Sequence, residues 1–364
     1  MSLSRPVKFP LLKLPWLCIE AVVKCWNVFD IIFFALISKK TRRIVKSFKI
    51  PLNGIEVYLT SYKNIRLVSS EKDRIWIELE RLIYKTWYFR NLNESFFENY
   101  TDSSKYHLLL LENAVPLYTS RTNDALTSDT HGNLRNVLIM ALEFLIKVFK
   151  CLVETVNIHS DNLPESGDIG VKSTVNLNIN QNSTQPIGYA QSQKLNLLLE
   201  NLKVTGTCTF GPNSTERGFY CDAKFFICRE LVFGKRSAAW VTREILLQFE
   251  VPRLNFYDCP FSVRDILSFI TNWFYSDNKK FENLYIEFGS RKISLDKFQT
   301  KELNPVPFSG RNRFPSLDSF RYMHVDFSNG LEIVRHDGLV ATIHVNDEKF
   351  LFHIWHDQSA ITQS

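Results

Sequence analysis

FPLLKLPWLCIEAVVKCWNVFDIIFFALISKKTRRIVKSFK, residues 9–49, is the stretch that decides how the N-terminal part of this chain folds. We predict three short helices. Pro15 suits a first helical turn, where its missing N–H costs nothing, and Ile19 and Val23 follow at helical spacing. Residues 31–37 are apolar on every side and need neighbours around them, and Ser38 is a suitable cap for a basic third helix. About forty such residues enclose too little interior to bury their own apolar surface, so we interpret the stretch as a docking module.

The same stretch resembles an F-box, the motif by which substrate receptors dock onto the Skp-type adaptor of cullin ubiquitin ligases. The resemblance is carried by Phe9-Pro10-Leu11-Leu12, Leu14-Pro15, Ile19, the apolar block at 31–36 and Ser38-Lys39-Lys40. The third helix departs from the broader family in lacking a Trp. The resemblance implies that the Leu-Pro start and the apolar faces of the first two helices contact the adaptor. The adaptor-binding residues implied in this way are Leu14, Pro15, Ile19, Val23, Ile32 and Leu36.

The positive charge of the chain is concentrated in this module. Residues 1–50 hold 10 Lys and Arg against 2 Asp and Glu, a net of +8, whereas the other 314 residues hold 34 against 36, a net of −2. A basic face steers towards an acidic partner, and the F-box resemblance implies an acidic adaptor. The run KKTRR at 39–43 is also compatible with a nuclear address or a nucleic-acid patch. Because no aromatic residues are interleaved and no reader fold is recognised, we expect no nucleic acid as partner.

A membrane span is a second alternative for residues 16–37, because this segment is long and apolar enough to cross a bilayer. Glu20, Lys24 and Asp30 lie inside this segment. Each charged side chain costs roughly 2.5–3.5 kcal/mol at the bilayer centre on insertion scales, so we expect no membrane partner. A buried helical hairpin of the main domain is a third alternative, and periodicity alone does not exclude it.

The remaining composition gives little indication of chemistry. With 45% hydrophobic and 23% charged residues in 364, the chain has an ordinary globular composition. Seven Cys without a CxxC pair predict free thiols in a reducing compartment rather than disulfides or a zinc site. The sequence contains no GxSxG, GxxxxGK[ST] or GxGxxG motif. We therefore expect no catalytic residues, no metal site and no cofactor, and we predict that the protein is not an enzyme.

Two residue pairs carry side chains that are common in metal or catalytic sites. His353 and His356 are three residues apart, so on a strand their side chains lie on opposite faces. No Cys or carboxylate completes a set of metal ligands. Asp258 and Cys259 follow a predicted strand end, where α/β enzymes often keep functional groups. A turn residue beside a buried thiol explains the second pair equally well.

Residues 51–133 are predicted to form a β-rich connecting region, because apolar and polar residues alternate there with a period of two. We expect a small antiparallel sheet packed behind the helices. The predicted strands contain Ile55, Val57 and Leu59; Ile65 and Leu67; Ile75, Ile77 and Leu79; and the runs 108–111 and 115–118.

Residues 134–300 are predicted to repeat a helix-then-strand unit, with a non-repetitive α/β domain as the alternative. The strand signature is an apolar pair separated by one residue, and its first positions lie 21, 25, 29, 23 and 30 residues apart, close to the spacing of leucine-rich repeats. The Asn-bearing consensus of those repeats is absent. Helices are predicted at 189–200, 238–249 and Val263–Tyr275, and alternation of helix and strand favours parallel pairing. The pairs are Val156/Ile158, Leu177/Ile179, Leu202/Val204, Leu231/Phe233, Leu254/Phe256 and Leu284/Ile286.

Residues 160–193 are rich in Asn, Ser, Gln and Gly and contain only a weak strand, so we predict a mobile surface excursion. Residues 301–315 carry three Pro and one Gly and predict a boundary.

Residues 316–358 are predicted to form an antiparallel meander, with strands at 331–335, 339–345 and 349–355 and a turn at Asp337-Gly338. This end resembles the F-box-associated type 2 domain of a class expanded in nematodes, as does the segment 262–288 with Trp273. The R-x-D-G, A-T-I and V/I-W pattern of that domain is matched by Arg335, Asp337-Gly338, Ala341-Thr342-Ile343 and Ile354-Trp355.

The expected fold class is α+β or α/β. A three-helix F-box at 6–50 is followed by a large domain of alternating helices and strands, irregularly leucine-rich-repeat-like, with flanking antiparallel strands. The resemblance implies a substrate-receptor subunit that binds the Skp-type adaptor, and through it a cullin, by the F-box, and an unidentified target protein by the C-terminal domain, in the cytoplasm or nucleus. A membrane-anchored or chromatin-associated interaction protein and an α/β enzyme are the alternatives.

Overall fold

The computed structural model describes residues 11–48, 50, 52–71, 81–91, 107–111, 115–121, 125–130, 133–181, 186–212, 218–309 and 326–356. The chain divides into two compact units, Met1–Glu154 and Thr155–Ser364. Both units combine helices with mixed sheets, so the fold is α+β, as expected. The predicted strand at Ile75, Ile77 and Leu79 and the first part of the predicted 316–358 segment lie outside the described residues.

The first unit opens with the three predicted helices. They are confirmed, and each begins where the sequence supplies a suitable residue. The Asn27 side chain accepts a hydrogen bond from Phe29 N at 2.9 Å, and Ser38 and Thr41 form a reciprocal capping box at 3.0–3.1 Å. The helices are α1 (Trp16–Lys24), α2 (Val28–Ile37) and α3 (Lys39–Ser47).

A mixed sheet and a fourth helix complete the first unit. Strands β1, β2 and β3 are antiparallel neighbours, but β3 pairs in parallel with β6, so our expectation of a wholly antiparallel sheet was wrong. Helix α4 packs against α3, β2 and β3, although we had grouped it with the strands that follow. The elements are β1 (Gly54–Leu59), β2 (Lys63–Glu71), β3 (Arg81–Asn91), β4 (His107–Leu111), β5 (Val115–Arg121), β6 (Ala125–Thr130) and α4 (Leu134–Phe149).

The second unit is built on a ladder of parallel strands followed by an antiparallel end. Strands β7, β9, β11, β12, β13 and β14 are parallel neighbours, and β14 then pairs antiparallel with β18. The elements are β7 (Val153–His159), β8 (Ser173–Thr174), β9 (Asn176–Asn180), α5 (Tyr189–Asn201), β10 (Lys203–Val204), β11 (Thr207–Phe210), β12 (Glu230–Phe233), α6 (Arg243–Leu246), β13 (Arg253–Tyr257), α7 (Val263–Tyr275), β14 (Asn283–Glu287), β15 (Val306–Pro307), β16 (Leu331–Val334), β17 (Val340–Asn346) and β18 (Lys349–Trp355).

The apolar pairs of these parallel strands align in two rows on one face, and both rows are buried. The prediction was confirmed for five of the six pairs. It was wrong for Leu202/Val204, because β10 pairs with β8 in a separate short ladder while β11 takes the place in the main sheet. The rows are Val156, Leu177, Cys208, Leu231, Leu254 and Leu284, and Ile158, Ile179, Phe210, Phe233, Phe256 and Ile286.

Two further predictions needed correction. The segment 160–193 is not a mere surface excursion, because its strand β9 lies between β7 and β11 with Leu177 and Ile179 fully buried. The predicted helix at 238–249 is reduced to the single turn of α6, which Thr242 caps by accepting from Ile245 N at 3.4 Å. Trp240 is buried instead beside Phe219 and Phe233.

The C-terminal meander was predicted correctly. Strands β16, β17 and β18 are consecutive antiparallel neighbours, and Gly338 adopts φ +86° in the turn that the sequence placed there. Helix α7 packs on the buried face of β18, where the Trp273 and Phe352 rings are 5.1 Å apart.

Candidate docking surfaces

The six residues assigned to adaptor binding divide into two groups in the structure. Ile19, Val23 and Ile32 are buried, with at most 4% of each side chain exposed. Side chains so enclosed hold the helices together and do not contact a partner in this conformation. Pro15 is exposed, and Leu14 and Leu36 are half-buried, so these three remain available for contact.

The N-terminal helices expose other apolar side chains that the sequence reasoning did not select. Leu17 is 75% exposed and Ile37 is 73% exposed, and Trp16, whose ring packs on Phe48 at 5.0 Å, is half exposed. A helical wheel of α1 predicts the exposure of Leu17. Ile19 and Val23 define the inner side of α1, so Leu17, together with Cys18, Ala21 and Cys25, lies on the outer side. These four outer residues are all exposed, and both thiols are free.

The basic third helix lies beside these residues in sequence and is also exposed. Lys39, Lys40 and Arg43 of α3 are exposed, whereas Arg42 is half-buried with its guanidinium 5.1 Å from the centre of the Phe144 ring. Helix α3 is therefore anchored to α4 through one of its cations and presents three others to solvent. Apolar helix residues flanked by exposed cations suit an acidic protein partner with its own apolar residues.

A second candidate surface is the other face of the parallel strands in the second unit. Its side chains are polar and only half-buried. The Asn178 amide donates to Asn157 Oδ1 at 2.9 Å, and the Asn255 amide donates to Glu230 Oε1 at 2.6 Å. Thr207 Oγ1 donates to the other oxygen of Glu230 at 3.2 Å. Neighbouring strands thus carry two hydrogen-bonded groups, one of two amides and one of a hydroxyl, a carboxylate and an amide, which together we call the polar face.

The polar face ends in an aromatic cluster at the antiparallel end of the sheet. Tyr285, Leu351 and Trp355 are buried there with Phe327, and Phe308 packs against them. The Phe327 and Trp355 rings are 5.6 Å apart. The chain itself therefore already covers this end of the polar face. The polar side chains of the face on β7, β9, β11, β12 and β13 remain half exposed.

The two residue pairs considered for catalysis are buried or held by structural contacts. Burial raises the pKa of the Cys259 thiol to about 11, which keeps it from acting as a thiolate at neutral pH. Asp258 pairs with Arg236 at 3.2 Å. His353 is buried within the sheet, while His356 Nε2 lies 2.9 Å from Phe281 O. Within the described part of the chain, no three His, Cys, Asp or Glu side chains converge as metal ligands.

The other thiols of the second unit also have raised pKa values. Burial raises the pKa of Cys208 and of Cys221, and it raises that of Cys228 to about 12. In the ranges that the structure covers, we also find no helix with the length and apolar character needed to cross a membrane.

Comparison with known proteins finds only partial relatives. No family model matches the chain, and no solved structure matches it. The chain is 29% identical over 120 residues to the uncharacterized protein F59B2.9 of Caenorhabditis elegans, covering 33% of this chain and 28% of that protein. It is 30% identical over 112 residues to the uncharacterized protein F59B2.8 of the same organism, covering 29% and 25%. The matches thus span about a quarter of the relatives' length.

Proposed function

We propose that this chain is a substrate-receptor subunit of a Skp/cullin/F-box ubiquitin ligase. Its N-terminal helices bind the Skp-type adaptor, and its second unit, irregularly leucine-rich-repeat-like, holds a target protein. The observation that carries the proposal is the set of exposed apolar side chains on α1 and α2, followed by a basic α3. The motif resemblances at both ends of the chain support the same reading.

The mechanism is proximity. A target fixed to the second unit is presented to a charged ubiquitin carrier held elsewhere in the complex, which raises its effective concentration. The receptor contributes binding and no reacting group. The half-exposed amides and carboxylate of the polar face supply hydrogen-bonding groups for such a target.

Within this proposal, we divide the roles of the N-terminal residues according to their exposure. Leu14, Pro15 and Leu36 keep the contact role that the resemblance implied, and Leu17 and Ile37 join them. Ile19, Val23 and Ile32 support the contact by fixing the helices. Exposed large apolar residues are often the energetic centre of an interface, and exposed cations set its association rate.

The test is co-purification of the full chain with a Skp-type adaptor. The double variant Leu17→Asp with Ile37→Asp is expected to weaken the complex at least tenfold while leaving the fold intact, because both side chains are exposed. Ile227→Asp is the matched control, since Ile227 is 68% exposed but belongs to the second unit. Leu14→Ala with Pro15→Ala is also expected to weaken binding. Retention of full affinity by the double variant would contradict the assignment.

The exposed thiols of the first helix give an independent measure of adaptor binding. Cys18 and Cys25 should react with a maleimide in the free chain and be protected once the adaptor is bound, whereas the buried Cys208 should stay unlabelled in both states. If no adaptor binds and the chain instead sediments with anionic vesicles or nucleic acid, the membrane-anchored or chromatin-associated alternative is supported and the proposal fails.

A further inference from the structure

Two basic residues lie shortly before a serine in an exposed segment of the second unit. The proposed function does not use this segment. The sequence Arg291-Lys292-Ile293-Ser294-Leu295 follows β14. Arginine three residues before a serine, with a second cation between, is the charge pattern that arginine-directed protein kinases read through acidic subsites. An apolar residue directly after the serine suits the pocket beyond the reacting hydroxyl.

The serine of this segment is exposed to an enzyme. Arg291, Lys292 and Ser294 are exposed, residues 291–294 are neither helix nor strand, and Leu295 begins a short 3-10 helix, Leu295–Phe298, that Ser294 precedes as N-cap. Ser294 is extended, with φ −104° and ψ 138°, as a peptide in a kinase cleft must be. Three backbone hydrogen bonds hold the segment: Arg291 N donates to Phe288 O at 3.4 Å, Ile293 N to Asp347 O at 3.0 Å in the loop after β17, and Lys297 N to Ser294 O at 3.3 Å. Releasing each such bond costs about 1 kcal/mol.

Ser69 is an internal comparison, because Arg66 precedes it at the same spacing. Ser69 lies inside β2, half-buried and directly opposite Ile83 of β3. Both arginines are engaged. Arg66 donates to the Tyr58 hydroxyl at 2.8 Å and lies 4.4 Å from the centre of that ring, and Arg291 donates to Cys259 O and lies 5.4 Å from the centre of the Phe288 ring. The two sites share a sequence pattern and an engaged arginine, and they differ in the serine, which is half-buried in a strand at Ser69 and exposed at Ser294.

We infer that Ser294 is a phosphorylation site for an arginine-directed serine/threonine protein kinase. In the reaction, Ser294 Oγ bonds to the γ-phosphorus of ATP, the bond from that phosphorus to the bridging oxygen breaks, ADP leaves, and the hydroxyl proton passes to the kinase base. Arg291 and Lys292 direct the kinase, and Leu295 fills the apolar pocket after the serine.

Phosphorylation would change the local electrostatics at once. Ser294 Oγ now donates to Asp296 Oδ2 at 3.1 Å. A phosphate in its place carries about −1.5 to −2 charge at neutral pH and repels that carboxylate. The cations Lys292 and Lys297 lie within three residues of Ser294 in sequence to receive it. The modification therefore places a switchable anion on the rim of the second unit.

The experiment uses the native full chain, ATP and the catalytic subunit of a cyclic-AMP-dependent protein kinase, with peptide mass spectrometry as readout. We expect one phosphoryl group at Ser294, its loss in Ser294→Ala, and a rate at least tenfold lower in Arg291→Ala with Lys292→Ala. Localisation to a peptide separates this site from Ser316, which follows Arg313 at the same spacing outside the described residues.

Ser69 supplies the control for accessibility. In the native chain it should be modified at least tenfold more slowly than Ser294, and in the urea-unfolded chain, diluted briefly into the assay, the two rates should converge. Equal rates at the two serines in the native chain would overturn the inference. So would a rate at Ser294 that the double substitution leaves unchanged in both native and unfolded chains.

Discussion

Arg335 shows why the C-terminal sequence pattern takes the form it does. Its guanidinium is fully enclosed, donates to both carboxylate oxygens of Asp337 at 2.9 and 2.8 Å and to Asn278 O at 2.9 Å, and lies 4.8 Å from the centre of the Trp273 ring. A buried cation is tolerated only when paired and hydrogen-bonded. The R-x-D-G pattern thus brings together a buried cation, its anion and the glycine that closes the turn.

Asp337 depends on the same arrangement. The Arg335 guanidinium, foremost by its hydrogen bonds, holds the pKa of this carboxyl well below its ordinary value. The ionised pair therefore persists through the neutral range, and it links the β16–β17 turn to the end of α7.

His353 gives a prediction about pH. The histidine is buried beside Trp355, with ring centres 4.6 Å apart, and burial lowers its pKa to about 4. Between pH 6.5 and 4 the unfolded chain therefore binds a proton that the folded chain does not, so stability falls as pH is lowered through that window. The contribution amounts to roughly 3 kcal/mol at most.

The measurement is urea unfolding across that pH range for the native chain and for His353→Phe. The substitution should flatten the decline in the free energy of unfolding between pH 6.5 and 4. His336, an exposed histidine, is the surface control, as His336→Gln. A decline of equal size in the native chain and in His353→Phe would contradict the prediction.

Among the elements, β11 is where sequence reasoning selected the wrong strand. Leu202 and Val204 are buried like Cys208 and Phe210, so alternation of apolar residues does not distinguish the two segments. Backbone geometry does. Gly206 donates to Val175 O at 2.7 Å and accepts from Arg229 and Glu230, which fixes the register of the strand that follows.

Gly206 is therefore predicted to be intolerant of a side chain. A Cβ at this position would lie 2.9 Å from Val175 O and 3.0 Å from Val175 Cγ1, which forces neighbouring strands apart. Gly206→Ala should lower the free energy of unfolding by about 1–3 kcal/mol, measured by urea unfolding. Gly234→Ala is the matched control, because its nearest contact would be an ordinary 3.4 Å. Equal losses in the two variants would count against this account.

The whole molecule consists of two compact units that carry different chemistry. The positive charge and the exposed apolar residues of α1 and α2 belong to the first unit, and the parallel strands with their polar face belong to the second. The four segments that we delimited from sequence at 6–50, 51–133, 134–300 and 316–358 stay a prediction. The structure places α4 with the first unit, since its apolar side packs against α3 and two strands there.

The second unit is predicted to fold by itself. A fragment covering residues 152–364 retains all of β7 to β18 and the buried Trp240, Trp273 and Trp355. It should unfold cooperatively with a free energy of about 5 kcal/mol or more and keep a near-ultraviolet circular dichroism signal from those side chains. A fragment with secondary structure but no near-ultraviolet signal would refute this prediction.

The sequence by itself determined the elements that local rules govern. Capping at Ser38, the alternation in Ile55 to Leu59, and the turn at Gly338 depend on neighbouring residues, and each was found where expected. Only the tertiary structure decided which buried pair joins the main sheet and that β3 pairs in parallel with β6. These outcomes depend on contacts between segments distant in sequence, whose free energies no local pattern records.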